Sequence, residues 1–403
     1  MDSQRIFQCL VVLLLYPCFG SAWQDVKLLP KPIGSFQVGI NTMELVDTTR
    51  LDPYAPTPTP RRIMISAIYP LQHGSSSCRY PYMPSFTASY EDMLYGFPNG
   101  SYESLFLQVG CRANYHDSPV VLFSPAQGNT RLDYSLLVSN VASYGFTVIT
   151  MDHPYDAGIV EFPDGSYIVA ALVNVTTPAQ SEAAGTEAVN VRVQDATFVL
   201  DQLANTTVVR QLIPGAYKLD TSTVAMVGHS LGGAATASAM VNETRITGGL
   251  DMDGEIFGDV LEEGFDKPFL LFGHTNNTRF YNGSDPDAKL SALTWTELWS
   301  VVTGWKLELE LASSLHYTFS DFPEQIQTLG LGLNATEMVG LLSGGEELDE
   351  MDAEAEVATL LKPERGLEIV VEYVVAFLEF ALRGKEEGIL KAPSRRFPEV
   401  TFT

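Results

Sequence analysis

The chain has 403 residues, 45% of them hydrophobic and 18% charged, a globular composition with length enough to bury a large core. Its formal net charge at pH 7 is -25. Such a surface repels nucleic acid and anionic membranes, which sets nucleic-acid binding aside but leaves neutral or zwitterionic lipids open as substrates.

The first residues read as a secretory signal. Arg5 gives a positive start, Cys9 to Leu15 an apolar stretch too short to span a bilayer, and Gly20-Ser21-Ala22 small residues for cleavage before Trp23. This predicts a signal peptide over 1–22, one domain over 23–403, no transmembrane segment in the mature chain and a secreted protein. Cys9 and Cys18 leave with the signal. Cys78 and Cys111 remain, and in an oxidising compartment one pair makes one disulfide. Closing that loop stabilises the fold by about 4 kcal/mol in the chain-entropy model. Glycosylation sequons at Asn99, Asn174, Asn205, Asn242, Asn276, Asn282 and Asn334 agree with export.

Phe36 to Val46 reads as a first strand, Leu51 to Pro60 as a proline-rich loop and Ile63 to Tyr69 as the next strand. Leu71 to Asp117 reads as an irregular excursion over the sheet. Val120 to Phe123 is a buried-strand run, Asp133 to Tyr144 has helical spacing closed by Gly145, and Phe146 to Met151 is apolar again. Strand, helix and strand within about thirty residues make a βαβ unit and imply a parallel sheet. Asp152 to Thr177 carries a Pro163-Asp164-Gly165 turn and is a candidate lid or pocket wall, since loops after a strand's C-terminal end border the site in open α/β sheets. Gln180 to Leu203 is a long amphipathic helix. Ile246 to Leu250 and Pro268 to Phe272 are two further strands, and His274 to Leu290 is polar surface. Glu346 to Glu356 is an acidic solvated run, and Leu367 to Leu382 is an apolar-faced helix.

The chemistry centres on Val224 to Gly233. An apolar run meets Gly228-His229-Ser230-Leu231-Gly232, and a small-residue helix follows to about Met240. Strand, tight turn and helix with a serine at the tip are what a nucleophile elbow requires. The prediction is an α/β-hydrolase fold: a mostly parallel central sheet with helices on both faces. A serine hydroxyl needs a base and a group that orients the base. In this fold the order along the chain is serine, acid, histidine. Two histidines lie downstream of the elbow, His274 and His316. His316 sits in a loop that can hang over the sheet, whereas His274 stands at a strand end, so His316 is preferred as base. Asp251 directly ends the strand Ile246 to Leu250 and is preferred as acid. Asp253 is its main competitor, and Asp285 and Asp287 are weaker ones. His229 adjoins the serine, but the sharp elbow should turn its ring away from the hydroxyl.

The oxyanion formed in acyl transfer needs placed N–H donors. One is the backbone N–H of Leu231. The other should come from Ser124-Pro125-Ala126-Gln127-Gly128, where Pro125 has no N–H to give and Gln127 is favoured. No cysteine cluster, no histidine pair at helical spacing and no phosphate-cradling glycine loop occurs, so neither metal nor cofactor is expected.

These residues resemble the plasma-type and intracellular type II platelet-activating-factor acetylhydrolases, the lipoprotein-associated phospholipases A2, and most of all their secreted fungal relatives. Gly34-Ser35-Phe36-Gln37-Val38-Gly39 is similar to the family's entry strand, and Phe123 to Gly128 to its Phe-Ser-His-Gly-x-Gly. Ala142 to Phe146 matches the helix exit, Gly228 to Gly233 the elbow, Leu250-Asp251 the acid, and His316-x-x-Phe319-x-Asp321-Phe322 the segment around the histidine. The resemblance implies Ser230, Asp251 and His316 as catalytic residues, with the loop donor at Gln127. It implies calcium-independent release of short or oxidised acyl chains from the middle position of glycerophospholipids such as platelet-activating factor, with contact at lipid surfaces. Pro125-Ala126 departs from the family's His-Gly, and Gln127 brings a polar side chain where vertebrate members are apolar. Two other readings are a general secreted carboxylesterase on small esters or polyesters, and a catalytically inactive hydrolase fold used for binding. The intact candidates at all three triad positions argue against the last.

Overall fold

The computed structural model describes residues 26–403 apart from 73, 75, 112–113, 172–177, 284–285 and 346–347. The signal peptide, with Cys9 and Cys18, lies outside the described residues, as do Asn174 and Asp285.

The chain opens with β1 (Lys27–Leu28), β2 (Val38–Leu51), β3 (Pro60–Pro70), β4 (Ser76–Pro81), α1 (Ser85–Leu94) and β5 (Leu105–Cys111). The first βαβ unit is β6 (Val120–Ser124), α2 (Ser135–Ser143) and β7 (Thr147–Met151). A hairpin of β8 (Ile159–Glu161) and β9 (Tyr167–Val169) leads to the helices α3 (Pro178–Leu203) and α4 (Thr206–Leu212). Then come β10 (Val224–His229), α5 (Leu231–Asn242), β11 (Ile246–Met252), α6 (Val260–Glu263), β12 (Phe269–Gly273), α7 (Pro286–Val301) and β13 (Lys306–Leu311). The chain closes with α8 (Phe322–Leu329), α9 (Ala335–Ser343), α10 (Glu350–Thr359), α11 (Pro363–Arg383) and β14 (Val400–Phe402).

Nine strands form one sheet in the order β14-β13-β12-β11-β10-β6-β7-β3-β2. The run from β13 to β7 is parallel, and β14, β3 and β2 join antiparallel. Parallel strands covered on both faces must be apolar throughout, and β6, β7, β10 and β12 are buried at every position. Alternation along β10 divides the core. Val224 and Met226 join Ala196, Val199 and Leu200 of α3 and Ala235 of α5 on one face. Ala225 and Val227 join Leu137 and Val141 of α2 and Val374 and Phe377 of α11 on the other. The elbow strand is thus central, with a separate hydrophobic layer beneath each face.

The excursion from Leu71 to Asp117 is more ordered than its composition suggests. It holds α1 and the strands β4 and β5, which β1 from the start of the chain joins in a three-stranded sheet of order β1-β5-β4, over a cluster that includes Leu29, Tyr82, Tyr102 and Leu107. Cys78 and Cys111 pair in a disulfide with Cα atoms 6.0 Å apart, at the antiparallel β4–β5 ladder. The turn at Pro163-Asp164-Gly165 joins β8 and β9 as a hairpin. Within the polar segment after β12, Asn277 and Thr278 are buried, and α7 begins at Pro286. No helix among the described residues is long and apolar enough to cross a membrane. The six described sequon asparagines are exposed. Two of them, Asn205 and Asn334, also cap helices through their side chains.

Candidate active site

Ser230 lies between β10 and α5 with φ 55° and ψ -126°. A non-glycine residue there is strained and persists only where its surroundings over-determine it. Here the Ser230 N–H bonds the Met252 carbonyl at 2.8 Å, while its own carbonyl accepts from Gly233 N–H at 2.8 Å. The glycine after the elbow is required by close approach. A Cβ on Gly232 would lie 2.0 Å from the Ser124 carbonyl oxygen, so the loop after β6 rests directly on the start of α5. The N–H of Leu231 opens that helix, where the first amides have no intrahelical acceptor.

The carboxylate beside His316 is Asp253. Its Oδ2 lies 2.5 Å from His316 Nδ1. The expectation of Asp251 in that place is corrected, and the reason is strand parity. β11 continues through Met252, and Leu250 and Met252 face the α2–α11 layer. Asp251 therefore points the opposite way, under α5. A Cβ on Gly233 would meet Asp251 Oδ1 at 1.6 Å, and that oxygen accepts the Gly254 N–H at 2.9 Å. Burial and the charge of Asp253 push the Asp251 carboxyl well above the usual carboxylate range. Asp253 follows the strand end in a left-handed conformation, φ 64°. This turns its carboxylate toward the loops.

Asp253 is shared by two histidines. His274 Nδ1 lies 2.7 Å from each of its oxygens. The backbone N–H of His274 and Nδ2 of Asn277 donate to Oδ1 at 2.9 and 2.6 Å. Burial alone would raise this carboxyl, but the charge of His274 and the hydrogen bonds from His274 and His316 hold it well below the usual range. His274, considered above as an alternative base, is thus a second partner of Asp253. The Ser230 hydroxyl makes no hydrogen bond to a described residue, and the pairing at Nδ1 leaves Nε2 as the basic nitrogen of His316.

The loop after β6 is held amide by amide. The Ala126 N–H donates to Tyr134 Oη at 3.1 Å, Gly128 N–H to the Asp156 carbonyl at 3.1 Å and Asn129 N–H to the Ala126 carbonyl at 3.3 Å. Gln127 is exposed, and its N–H has no acceptor among the described residues. Tyr134 Oη also meets His229 Nδ1 at 2.8 Å, and His229 Nε2 meets the His316 carbonyl at 3.0 Å. A carbonyl only accepts, so His229 carries its proton on Nε2 and Tyr134 donates to Nδ1. Burial first, then the charge of His316, hold His229 well below its ordinary value, which keeps this relay neutral. Both ring nitrogens of His229 are thus engaged away from the Ser230 hydroxyl, and the ring links the loop after β6, through Tyr134, to the His316 segment.

The segment after His316 is anchored by Asp321, whose carboxylate accepts the Leu136 and Leu137 N–H groups at 2.7 and 2.9 Å and Tyr82 Oη at 2.8 Å. Among the described residues, His229, Asp253 and His316 form the one group with ligand atoms within 4.8 Å of each other. Both ring nitrogens of His229 and Nδ1 of His316 are already engaged, so this set is spent on its own hydrogen bonds. Sequence reasoning missed Tyr134, Asn277, His153 and Arg192. The signal for His153 was its place in Asp152-His153-Pro154, immediately after an apolar strand.

Residues 111–326, more than half of the chain, match the family model described as platelet-activating factor acetylhydrolase, isoform II. A protein of Arthroderma benhamiae named probable 1-alkyl-2-acetylglycerophosphocholine esterase is 33% identical over 98% of both chains. The solved structure of a ferulic acid esterase from Streptomyces cinnamoneus superposes with a TM-score of 0.75 at 26% identity, covering 94% of this chain and 99% of that one. With the sheet order and the elbow, this is an α/β-hydrolase fold, and the chain is a carboxylic ester hydrolase. It belongs to the isoform II family of platelet-activating factor acetylhydrolases.

Proposed function

We propose that Ser230 is the nucleophile, His316 the general base and Asp253 the residue that orients and charge-stabilises the base. His316 Nε2 takes the serine proton as the hydroxyl attacks an ester carbonyl, then returns it to the leaving alcohol. Water releases the acyl group by the same path. The N–H groups of Leu231 and Gln127 receive the oxyanion. The observation that carries this reading is the Asp253–His316 hydrogen bond beside a serine held at positive φ. The base closes on the hydroxyl when substrate is in place, as such contacts tighten in the reactive complex. Ser230→Ala should lower kcat on the order of a millionfold with an unchanged folded spectrum. Activity that persists in that variant removes the mechanism.

The substrate we assign is the short acyl ester, acetyl in platelet-activating factor, at the middle position of a glycerophospholipid, cleaved without calcium. The name of the Arthroderma benhamiae relative supports it. The signal-like start, the sequons and the disulfide support a secreted, glycosylated enzyme. The likeness to a ferulic acid esterase over most of the chain favours a second reading, a general carboxylesterase. A phosphatidylcholine series with middle chains from acetyl upward, assayed with chelator beside a simple soluble ester, separates the two. Chelator-insensitive preference for the short-chain phospholipid supports the first. Turnover of the simple ester alone leaves the triad standing and assigns the second.

A further inference from the structure

A second chain of serine, histidine and aspartate lies buried beside the site. Ser124 Oγ is 3.0 Å from His153 Nε2, and His153 Nδ1 is 2.8 Å from Asp195 Oδ2. Ser124, His153 and Asp195 are each no more than 2% exposed, so no substrate reaches this serine. Asp195 is gripped by Arg61 through two hydrogen bonds, at 3.1 and 2.7 Å. The order of donors follows from the acceptors. Asp195 accepts, so His153 Nδ1 carries a proton and Nε2 receives the Ser124 hydroxyl. The Ser124 oxygen in turn accepts from Arg192 Nη1 at 3.1 Å.

The same Arg192 Nη1 donates to the Pro125 carbonyl at 2.5 Å. Its other face is fixed by two hydrogen bonds to Asp156, at 2.8 and 2.6 Å. The Pro125 carbonyl and the Ala126 N–H belong to one planar peptide unit. Arg192 holds its oxygen, and Tyr134 holds its N–H at 3.1 Å. The peptide plane that precedes the Gln127 amide is therefore clamped at both ends. One clamp is the His229 relay, and the other is the Ser124–His153–Asp195 chain behind Arg192. An oxyanion donor helps only when it is aimed before charge develops, since reorganisation at that moment costs rate. We propose that Arg192, backed by Ser124, His153 and Asp195, is a positioning residue that sets the direction of the Gln127 N–H and so the strength of the oxyanion hole. This rests on the reading of Gln127 N–H as a donor to the oxyanion.

The test compares full-length wild type with Arg192→Lys and Ser124→Ala. Arg192→Lys keeps the charge but cannot span Asp156, Ser124 and Pro125 together. Ser124→Ala removes one hydroxyl. Active sites are first titrated with a fluorophosphonate, so that misfolded molecules drop out of every rate. Per titrated site, kcat for a soluble acetate ester should fall about 10- to 100-fold in Arg192→Lys and several-fold in Ser124→Ala, by less than loss of a whole donor, with KM within twofold. Affinity for a boronic acid, which forms a tetrahedral adduct on the serine, should fall by the same factors. Unchanged kcat and boronate affinity per titrated site in both variants overturn the proposal. A purely structural role would lower the titrated fraction and leave both per-site values intact. Wild type that neither reacts with fluorophosphonate nor turns over ester would instead overturn the serine mechanism itself.

Discussion

Two aspartates two residues apart have opposite electrostatic situations. Asp253 accepts from two histidines, an asparagine and a backbone amide and is held ionised. Asp251 accepts one amide, its Oδ2 has no partner among the described residues, and burial disfavours its charge. In the proposed mechanism, only an ionised carboxylate can stabilise the imidazolium formed on His316. Asp253→Asn should therefore lower kcat by about 10⁴-fold, in line with loss of the orienting acid in other serine triads. Asp251→Asn keeps an oxygen for Gly254 and should leave kcat within a few-fold. Steady-state kinetics on both variants decides it, and the reverse ranking would return the acid to Asp251. At Gln127 the backbone is the proposed donor, so Gln127→Ala should also stay within a few-fold. A hundredfold loss there would mean that the side-chain amide takes part.

The elbow joins strand and helix so closely that three glycines, Gly228, Gly232 and Gly233, are buried against polar atoms. Gly233 has no room for a Cβ above Asp251, whereas a Cβ on Gly332, between α8 and α9, would meet nothing within 4 Å. Gly233→Ala should cost about 1–3 kcal/mol, as overpacking does, or displace the elbow and reduce fluorophosphonate labelling. Gly332→Ala should be neutral in a thermal melt. Equal melting points and labelling for the two would contradict the packing at Gly233. Elements of this kind were legible in sequence because local sterics write them: apolar runs of strand length, a Gly-x-Ser-x-Gly turn and small residues along α5. His316 stood out as a candidate because few histidines follow the serine, and it does pair with a carboxylate. The choice between Asp251 and Asp253 was not. The apolar pattern stops at Leu250, while backbone pairing carries β11 through Met252, so Asp251 still lies in the strand with its side chain under α5, and only the left-handed turn at Asp253 lets a carboxylate face the loops. β13 escaped for a related reason. Lys306-Leu307-Glu308-Leu309-Glu310-Leu311 alternates at period two, yet its charged Glu308 is fully buried and paired with Arg279. The clamps on the loop after β6 join residues distant in sequence, such as Ser124, His153 and Asp195, and no local pattern announces them.

Across the whole molecule, the site is bracketed by buried histidines that the fold keeps neutral. His229 lies between Tyr134, which holds the loop after β6, and the His316 carbonyl, and His153 ties Ser124, at the start of that same loop after β6, to Asp195 of α3. Burial lowers both, with the charge of His316 adding at His229 and that of Arg192 at His153. The unfolded chain binds a proton at each as pH falls through the ordinary value of 6.5, while the folded chain resists. Each histidine therefore leaves stability untouched well above 6.5 and removes it as pH drops below, with a limiting slope of about 1.4 kcal/mol per pH unit. Carboxyls raised by burial, such as Asp251, act in the opposite sense, since the fold retains their protons where the unfolded chain releases them. Relief of the -25 net charge on acidification opposes the histidines too. The bare pH profile of the wild type thus mixes signs, and the informative quantity is a difference between proteins that share every other group. Between pH 7.5 and 5.5 the urea unfolding free energy of the wild type should fall by about 1.4 kcal/mol more, or rise by that much less, than that of His229→Gln, which lacks the titrating ring. The variant should be the less stable protein at pH 7.5, because Tyr134 and the His316 carbonyl lose their shared partner, and the gap should narrow in acid. A gap that stays constant over this range would mean that His229 takes up its proton in the folded state as readily as in the unfolded one, and that the relay between loop and base is not held neutral by the fold.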